Sequence, residues 1–258
     1  MGIFRKIFKL TAAFILFPIA LFLSFYSLEQ QGFFKVDKVE IRIEARNSQK
    51  NYVGAKVREL QTNLNSVKGI SLWRASLSQI SATLKDEKWI KNFQISRAWP
   101  SGIILTVEPD TVAILVLSQE GVNATASEGS VIRPITESGR LLEKIKTSYS
   151  PNAIVTHDAV FLSSQKVREG AIEVIKSLPE SGGMSAAKVA EIGFDKKEGY
   201  WIKLLKSETK INFGEMQFEL KSARISQVIN YLESRNLKAR VIDANLSKKV
   251  LVRLQQNP

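Results

Sequence analysis

The sequence predicts an α+β chain: one transmembrane helix, then a β-α-α-β-β domain, then a mixed-sheet β domain with two helices. Three features predict this order. An uncharged apolar run lies near the N-terminus, period-two and period-3.6 hydrophobic patterns follow it, and Gly or Pro marks most junctions. Of the 258 residues, 44% are hydrophobic and 24% charged, a balance that favours a folded chain over a disordered one.

The first element is the run Leu10–Leu28, nineteen residues without a charge. As a helix it would span about 28 Å, close to the hydrocarbon thickness of a bilayer. Arg5, Lys6 and Lys9 precede it and Glu29 follows. Positive charge on a short leading segment keeps that side in the cytoplasm. Residues 1–9 are thus a cytoplasmic tail, 10–28 the span through the lipid bilayer, and the remainder is expected beyond the membrane. A cleaved signal peptide is the competing reading. Its apolar core is shorter, and it ends in a small-x-small site that SFYSLEQQGFF does not offer.

The β-α-α-β-β domain is expected over residues 34–108. Lys35–Glu44 alternates, with Val39, Ile41 and Ile43 on one face of a half-buried strand. Val53, Val57, Leu60 and Leu64 recur at helical spacing, and Gly69 breaks the pattern. Leu77, Ile80 and Leu84 mark a second helix, with Ser76 as N-cap and Gln79 as its capping-box partner. Phe93, Ile95 and Ala98, the turn Trp99-Pro100-Ser101-Gly102, and Ile103, Leu105 and Val107 make a hairpin.

The second domain is expected over 109–258. Val112–Leu117 is a strongly apolar strand, joined to the preceding one by only Glu108 to Thr111, which predicts a stiff junction. Residues 119–130 form a polar loop whose Asn123-Ala124-Thr125 matches a glycosylation sequon, as polar loops do by chance. Short strands are expected at Val131-Ile132 and Arg140–Ile145 around a Glu137-Ser138-Gly139 turn. A helix covers Gln165–Leu178 and ends at Pro179. Strands follow at Val189–Phe194, Tyr200–Leu205 and Lys210–Phe213. A long helix covers Glu219–Ser234, with Leu220, Ala223, Ile225, Val228, Ile229 and Leu232 inward. Closing strands lie at Ala239–Asp243 and Lys249–Leu254.

Composition excludes several chemistries. There is no cysteine, so no disulfide, thiol catalysis or Cys-ligated metal site, and the one histidine, His157, rules out a multi-histidine metal site. His157-Asp158 beside Ser163 and Ser164 does not make a triad, because neighbours in an extended segment point to opposite faces. No phosphate-binding Gly-rich loop is present. No enzyme activity, cofactor or metal is expected. Lys plus Arg is 37 and Asp plus Glu 25, giving +12. With the basic tail set aside, the excess lies outside the cytoplasm. That excludes nucleic acid as a partner and favours anionic lipid or an acidic protein. Trp73, Trp89 and Trp99 are expected to close the small core. Arg97 is expected either to pair with an acidic group or to face a partner.

The short signatures occur in a particular order. They are Val39-Glu40-Ile41, Gly69-Ile70-Ser71-Leu72-Trp73, Lys88-Trp89-Ile90-Lys91, and Arg97-Ala98-Trp99-Pro100 followed by Val107-Glu108 and Val112-Ala113. After them come Trp201-Ile202-Lys203-Leu204, Thr209-Lys210-Ile211-Asn212-Phe213-Gly214, Lys221-Ser222-Ala223-Arg224 and Ile242-Asp243-Ala244-Asn245-Leu246 with Val250-Leu251-Val252-Arg253. Taken with the N-terminal span, this series resembles the FtsQ/DivIB family of bacterial cell-division proteins, which pair a POTRA domain with a C-terminal β domain. Lys88, Pro109, Glu215, Leu246 and Leu254 depart from the family's usual residues at those places.

The resemblance implies a single-pass type II protein of the cell inner membrane, with its domains in the periplasm and enriched at the septum. It implies a divisome scaffold that binds coiled-coil division proteins of the FtsB/FtsL type and helps control septal peptidoglycan synthesis. A partner would add a strand to the end of the C-terminal sheet. The residues permit that, because no strand follows Lys249–Leu254. Val250, Val252 and Leu254 would share one face and Leu251 and Arg253 the other, with Lys248 and Lys249 as edge gatekeepers. Asn245 and Leu246 complete the expected contact set. The same run could instead be a core strand only. A POTRA-containing envelope adaptor for protein transport or outer-membrane assembly is the alternative function. Self-association in the membrane is a further interaction that the single span permits.

Overall fold

A computed structural model describes residues 2–44, 49–119, 130–207, 209–246 and 249–255. The chain divides into two compact units, Met1–Ala45 with Gly54–Pro109, and Arg46–Val53 with Asp110–Pro258. The expected polar loop with its sequon, and Lys248, lie outside the described residues.

The first unit opens with α1 (Gly2–Gln30), which contains Pro18. Among the described residues no helix is long and apolar enough to cross a membrane. After a Gly32 turn come β1 (Lys38–Ile43), α2 (Lys50–Asn63), a 3₁₀ turn, α3 (Leu77–Asp86), β2 (Ile90–Ala98) and β3 (Gly102–Pro109). This is the expected β-α-α-β-β order. The sheet order is β1-β3-β2, with β3 parallel to β1 and antiparallel to β2. Placing β3 centrally accounts for its burial: Ile103, Leu105 and Val107 are all buried. On the edge strand β1 the expected alternation is blunted, with Val39 and Ile41 half-buried and Ile43 exposed. Ser76 caps α3, its hydroxyl accepting from Gln79 N–H at 3.3 Å.

Two sequence expectations fail in this unit. Trp89 is buried, but Trp73 and Trp99 are surface residues. Arg97 neither meets an acid nor stands free. Its Nε donates to the Leu72 carbonyl at 3.1 Å and its Nη2 to the Ala75 carbonyl at 3.3 Å. A planar fork suits two backbone acceptors on one turn of chain.

The second unit is built on an eight-stranded sheet in the order β11-β10-β9-β8-β7-β6-β4-β5. Its strands are β4 (Val112–Gln119), β5 (Ser130–Thr136), β6 (Ile154–Thr156), β7 (Val189–Asp195), β8 (Gly199–Leu204), β9 (Lys210–Gly214), β10 (Ala239–Asp243) and β11 (Leu251–Leu254). The pairs β4–β6, β6–β7 and β9–β10 are parallel and the others antiparallel, so the sheet is mixed as expected. A short helix α4 (Val160–Ser163) precedes α5 (Gln165–Ser177), and α6 (Phe218–Ser234) follows β9. The helices α5 and α6 touch one another and rest on β7 and β9, side by side on one face. Between them and the sheet lies a core that includes Ile114, Phe161, Val174, Ile192, Ile202, Ile211, Phe213, Ile225 and Ile242.

Arg140–Ile145 is not a strand. It touches β5 only through bridges at Ile135↔Leu141 and Ile132↔Ile145. The inward face of α6 is also shifted: Leu220 is exposed, while Phe218, Lys221, Ser222, Ile225, Ile229 and Leu232 are buried.

Candidate partner interface on the terminal strand

The candidate interface is built from three neighbouring strands of the second unit. Strand β9 ends at Gly214, whose backbone is left-handed (φ +73°). A Cβ there would collide with the Asn245 amide oxygen, so glycine lets the Asn245 side chain lie directly over the strand end. Strand β10 runs parallel to β9, with Ile242 opposite Ile211, both buried. Its start is tied down by Thr209 Oγ1, which donates to the buried Ala239 carbonyl at 2.8 Å. Its end is tied by Ala244 N–H, which donates to the Asn212 carbonyl at 3.0 Å. The chain then turns, with the Asp243 carboxylate accepting the Asn245 N–H at 2.9 Å.

β11 returns antiparallel to β10 in the register Asp243↔Leu251, Ile242↔Val252, Val241↔Arg253 and Ala239↔Leu254, with a bulge on β10. Gln255 N–H extends the ladder by donating to the Lys238 carbonyl at 2.8 Å. Backbone groups of successive strand residues point to opposite edges. Leu251, Arg253 and Gln255 therefore aim theirs at β10, and Val252 and Leu254 aim theirs away from it. Among the described residues no strand lies beyond β11.

The expected contact residues divide by environment. Val250 and Val252 are half-buried and pack against the core. Leu246, Leu251 and Leu254 are 50%, 52% and 49% exposed. Asn245, Lys249 and Arg253 are exposed. The structure thus gathers all eight on one hairpin. The strand itself is shorter than expected, starting at Leu251, so Lys249 and Val250 belong to the approach.

Sequence reasoning missed two features beside this hairpin, a basic margin and a buried lysine. Lys238 and Arg240 are exposed at the start of β10, adding to Lys249 and Arg253 a positive margin. Their proximity to the edge follows from register, although their charge was visible. The other is Lys221, buried at 6% exposure beneath the hairpin's neighbour β9, with Nζ donating to the Phe213 carbonyl. Burial holds this ammonium below the usual lysine range, and the Asp243 charge partly opposes that.

Two other sheet ends differ. The outer edge of β5 is engaged by Leu142 N–H to the Pro134 carbonyl (2.8 Å) and Ile145 N–H to the Ile132 carbonyl (2.9 Å). β2 presents polar exposed residues such as Lys91, Gln94 and Arg97. Only β11 combines an open edge with exposed leucines among these. Elsewhere, Asp158 accepts the Phe194 N–H at 2.8 Å, and Ser163 donates to the Val160 carbonyl, so both serve local structure.

A small three-stranded unit with two helices, followed by a mixed eight-stranded sheet, is the arrangement of a POTRA-bearing chain. Residues 55–108 match the family model of the FtsQ-type POTRA domain. The chain is also 21% identical over 192 residues to a cell division protein FtsQ of Geobacter sp. (strain M21). That likeness takes in 72% of this chain and 66% of the relative's length. The chain therefore carries an FtsQ-type POTRA domain and is FtsQ-like over most of its length.

Proposed function

We propose that this chain is a non-enzymatic, membrane-anchored scaffold of the bacterial division machinery. It holds another division protein, of the FtsB/FtsL type, by accepting a strand on the outer edge of β11, and through that contact helps control septal peptidoglycan synthesis. The observation that carries this reading is the outward aim of the Val252 and Leu254 backbone groups at the end of the sheet. Main-chain bonds along such an edge supply affinity, and alternate side chains supply register. Covering each half-exposed leucine adds about 1 kcal/mol. The margin of Lys238, Arg240, Lys249 and Arg253 favours an acidic strand and speeds its approach.

In this reading α1 is the single inner-membrane span. Its support is the uncharged run Leu10–Leu28 and the exposure of its side chains from Phe14 to Tyr26, which a bilayer would cover. The basic residues before it favour a cytoplasmic tail with both units on the far side of the membrane, and the likeness to a cell division protein favours the periplasm at the septum.

The test is co-purification of the full chain with the FtsB/FtsL-type proteins of its own cell, together with depletion of the chain. Capture of those proteins and filamentous growth on depletion are expected. Normal septation in a depleted cell without a second copy would overturn the reading. So would capture of outer-membrane assembly proteins in place of division proteins.

A further inference from the structure

Trp73 and Trp99 are 48% and 57% exposed, an unusual state for two neighbouring tryptophans. Their rings meet edge-on, 4.9 Å between centroids. Phe34 joins them at 6.4 Å and 5.4 Å, and the half-exposed Phe33 meets Phe34 at 5.2 Å. Phe25 of α1 completes the cluster, 4.7 Å from Phe34 and 6.1 Å from Trp73.

The position of Phe25 gives the cluster a height. It lies three residues before Leu28, the end of the uncharged run. At about 1.5 Å per residue, its backbone sits about 4.5 Å inside that end. The polar layer flanking the hydrocarbon is about 5–8 Å thick on each side. The Phe34 and Trp73 rings, 4.7 Å and 6.1 Å from Phe25, therefore lie close to the hydrocarbon boundary on which this layer rests when the run fills the bilayer. Tryptophan favours that depth, where its apolar ring and its N–H are both satisfied.

The unit is held at that height. Phe33 N–H donates to the Leu28 carbonyl at 3.0 Å, and Leu72 N–H donates to the Phe34 carbonyl at 2.7 Å. Ser71 Oγ donates to the Glu29 carboxylate at 3.2 Å. The exposed cations Lys35 and Arg74 line one groove with Tyr26, Glu29 and Gln30, around the end of the uncharged run, where cations meet anionic headgroups.

We propose that the Trp73–Trp99 face is seated in the interfacial layer of a phospholipid bilayer, so that the POTRA unit rests on the membrane instead of standing clear of it. This rests on reading α1 as the membrane anchor.

The test uses the full chain reconstituted in vesicles of phosphatidylethanolamine and phosphatidylglycerol. The vesicles carry a nitroxide lipid labelled either near the headgroup or near the bilayer centre. Tryptophan emission of the natural chain is compared with that of the Trp73→Phe/Trp99→Phe variant, which keeps the aromatic face and leaves only Trp89 and Trp201 to emit. Emission of the natural chain should fall with the shallow label and much less with the deep one, and the variant should respond to neither. Equal emission with and without the shallow label, in chain that floats with the vesicles, would overturn the seating while leaving the anchor intact. Chain that fails to float would overturn the anchor reading and the seating together.

Discussion

Gln255 donates its backbone N–H to the Lys238 carbonyl at 2.8 Å, one residue past the end of β11. This bond fixes the parity of the strand. It turns Leu251 and Arg253 toward β10 and leaves Val252 and Leu254 facing outward.

Proline substitutions read that parity directly. Leu254→Pro removes an outward N–H and leaves the hairpin ladder whole, as edge strands tolerate. Partner affinity should drop about tenfold, the worth of one backbone bond, with thermal unfolding little changed. Leu251→Pro removes an inward N–H and should open the hairpin, seen as fast amide exchange through β10. Equal effects of the two on both measurements would contradict the assigned parity.

The Gly214–Asn245 contact couples the fold to the hairpin. Gly214→Ala forces a side chain into left-handed backbone, at a cost of about 1–2 kcal/mol, and pushes on the Asn245 amide. A lower Tm and weaker partner binding should appear together. Adding Asn245→Ala should relieve the collision but not the backbone strain, a partial recovery that a double-mutant cycle resolves.

Arg97 ties β2 to the Leu72–Ala75 segment through backbone carbonyls alone. Arg97→Met should destabilise the first unit by about 1–3 kcal/mol. Arg97→Lys should recover only part, because an ammonium cannot reproduce the fork. The loss should be the same in low and high salt when measured by chemical denaturation. A strong salt dependence would point to a carboxylate partner instead.

Lys221 carries a pH signature. Its ammonium is held below the usual 10.5 by burial in the folded chain. The unfolded chain therefore binds more protons in the interval from the lowered value up to 10.5, and stability rises with pH across it. Compared with Lys221→Met, the natural chain should gain stability as pH climbs toward 10.5. A difference between the two that stays flat over that interval would contradict the burial effect.

The parts legible in the sequence are those whose pattern matches their place in a sheet. Ile103, Leu105 and Val107 alternate cleanly because β3 is central, while β1, at an edge, only half-buries the same pattern. Ile154–Thr156 is not legible because a three-residue strand shows no period, and its pairing with β7 is a single bridge at Val155↔Glu191. Periodicity put Leu220 inside α6. The helix instead turns Lys221 inward, since the Phe213 carbonyl offers its ammonium a partner that hydropathy does not register. Of the eight candidate contact residues, the six of Lys249–Leu254 are legible as a terminal strand, but the outward aim of Val252 and Leu254 follows from register and needs the structure. The exposure of Trp73 and Trp99 is not legible, because average tryptophan burial says nothing about a cluster beside an apolar helix.

Amide exchange at β11, read residue by residue with and without a captured FtsB/FtsL-type partner, tests strand addition most directly. Leu251 and Arg253 should be protected in both states, and Val252 and Leu254 should exchange freely alone and become protected in the complex. Protection of Val252 and Leu254 in the isolated chain, or free exchange of both in a saturated complex, would contradict it.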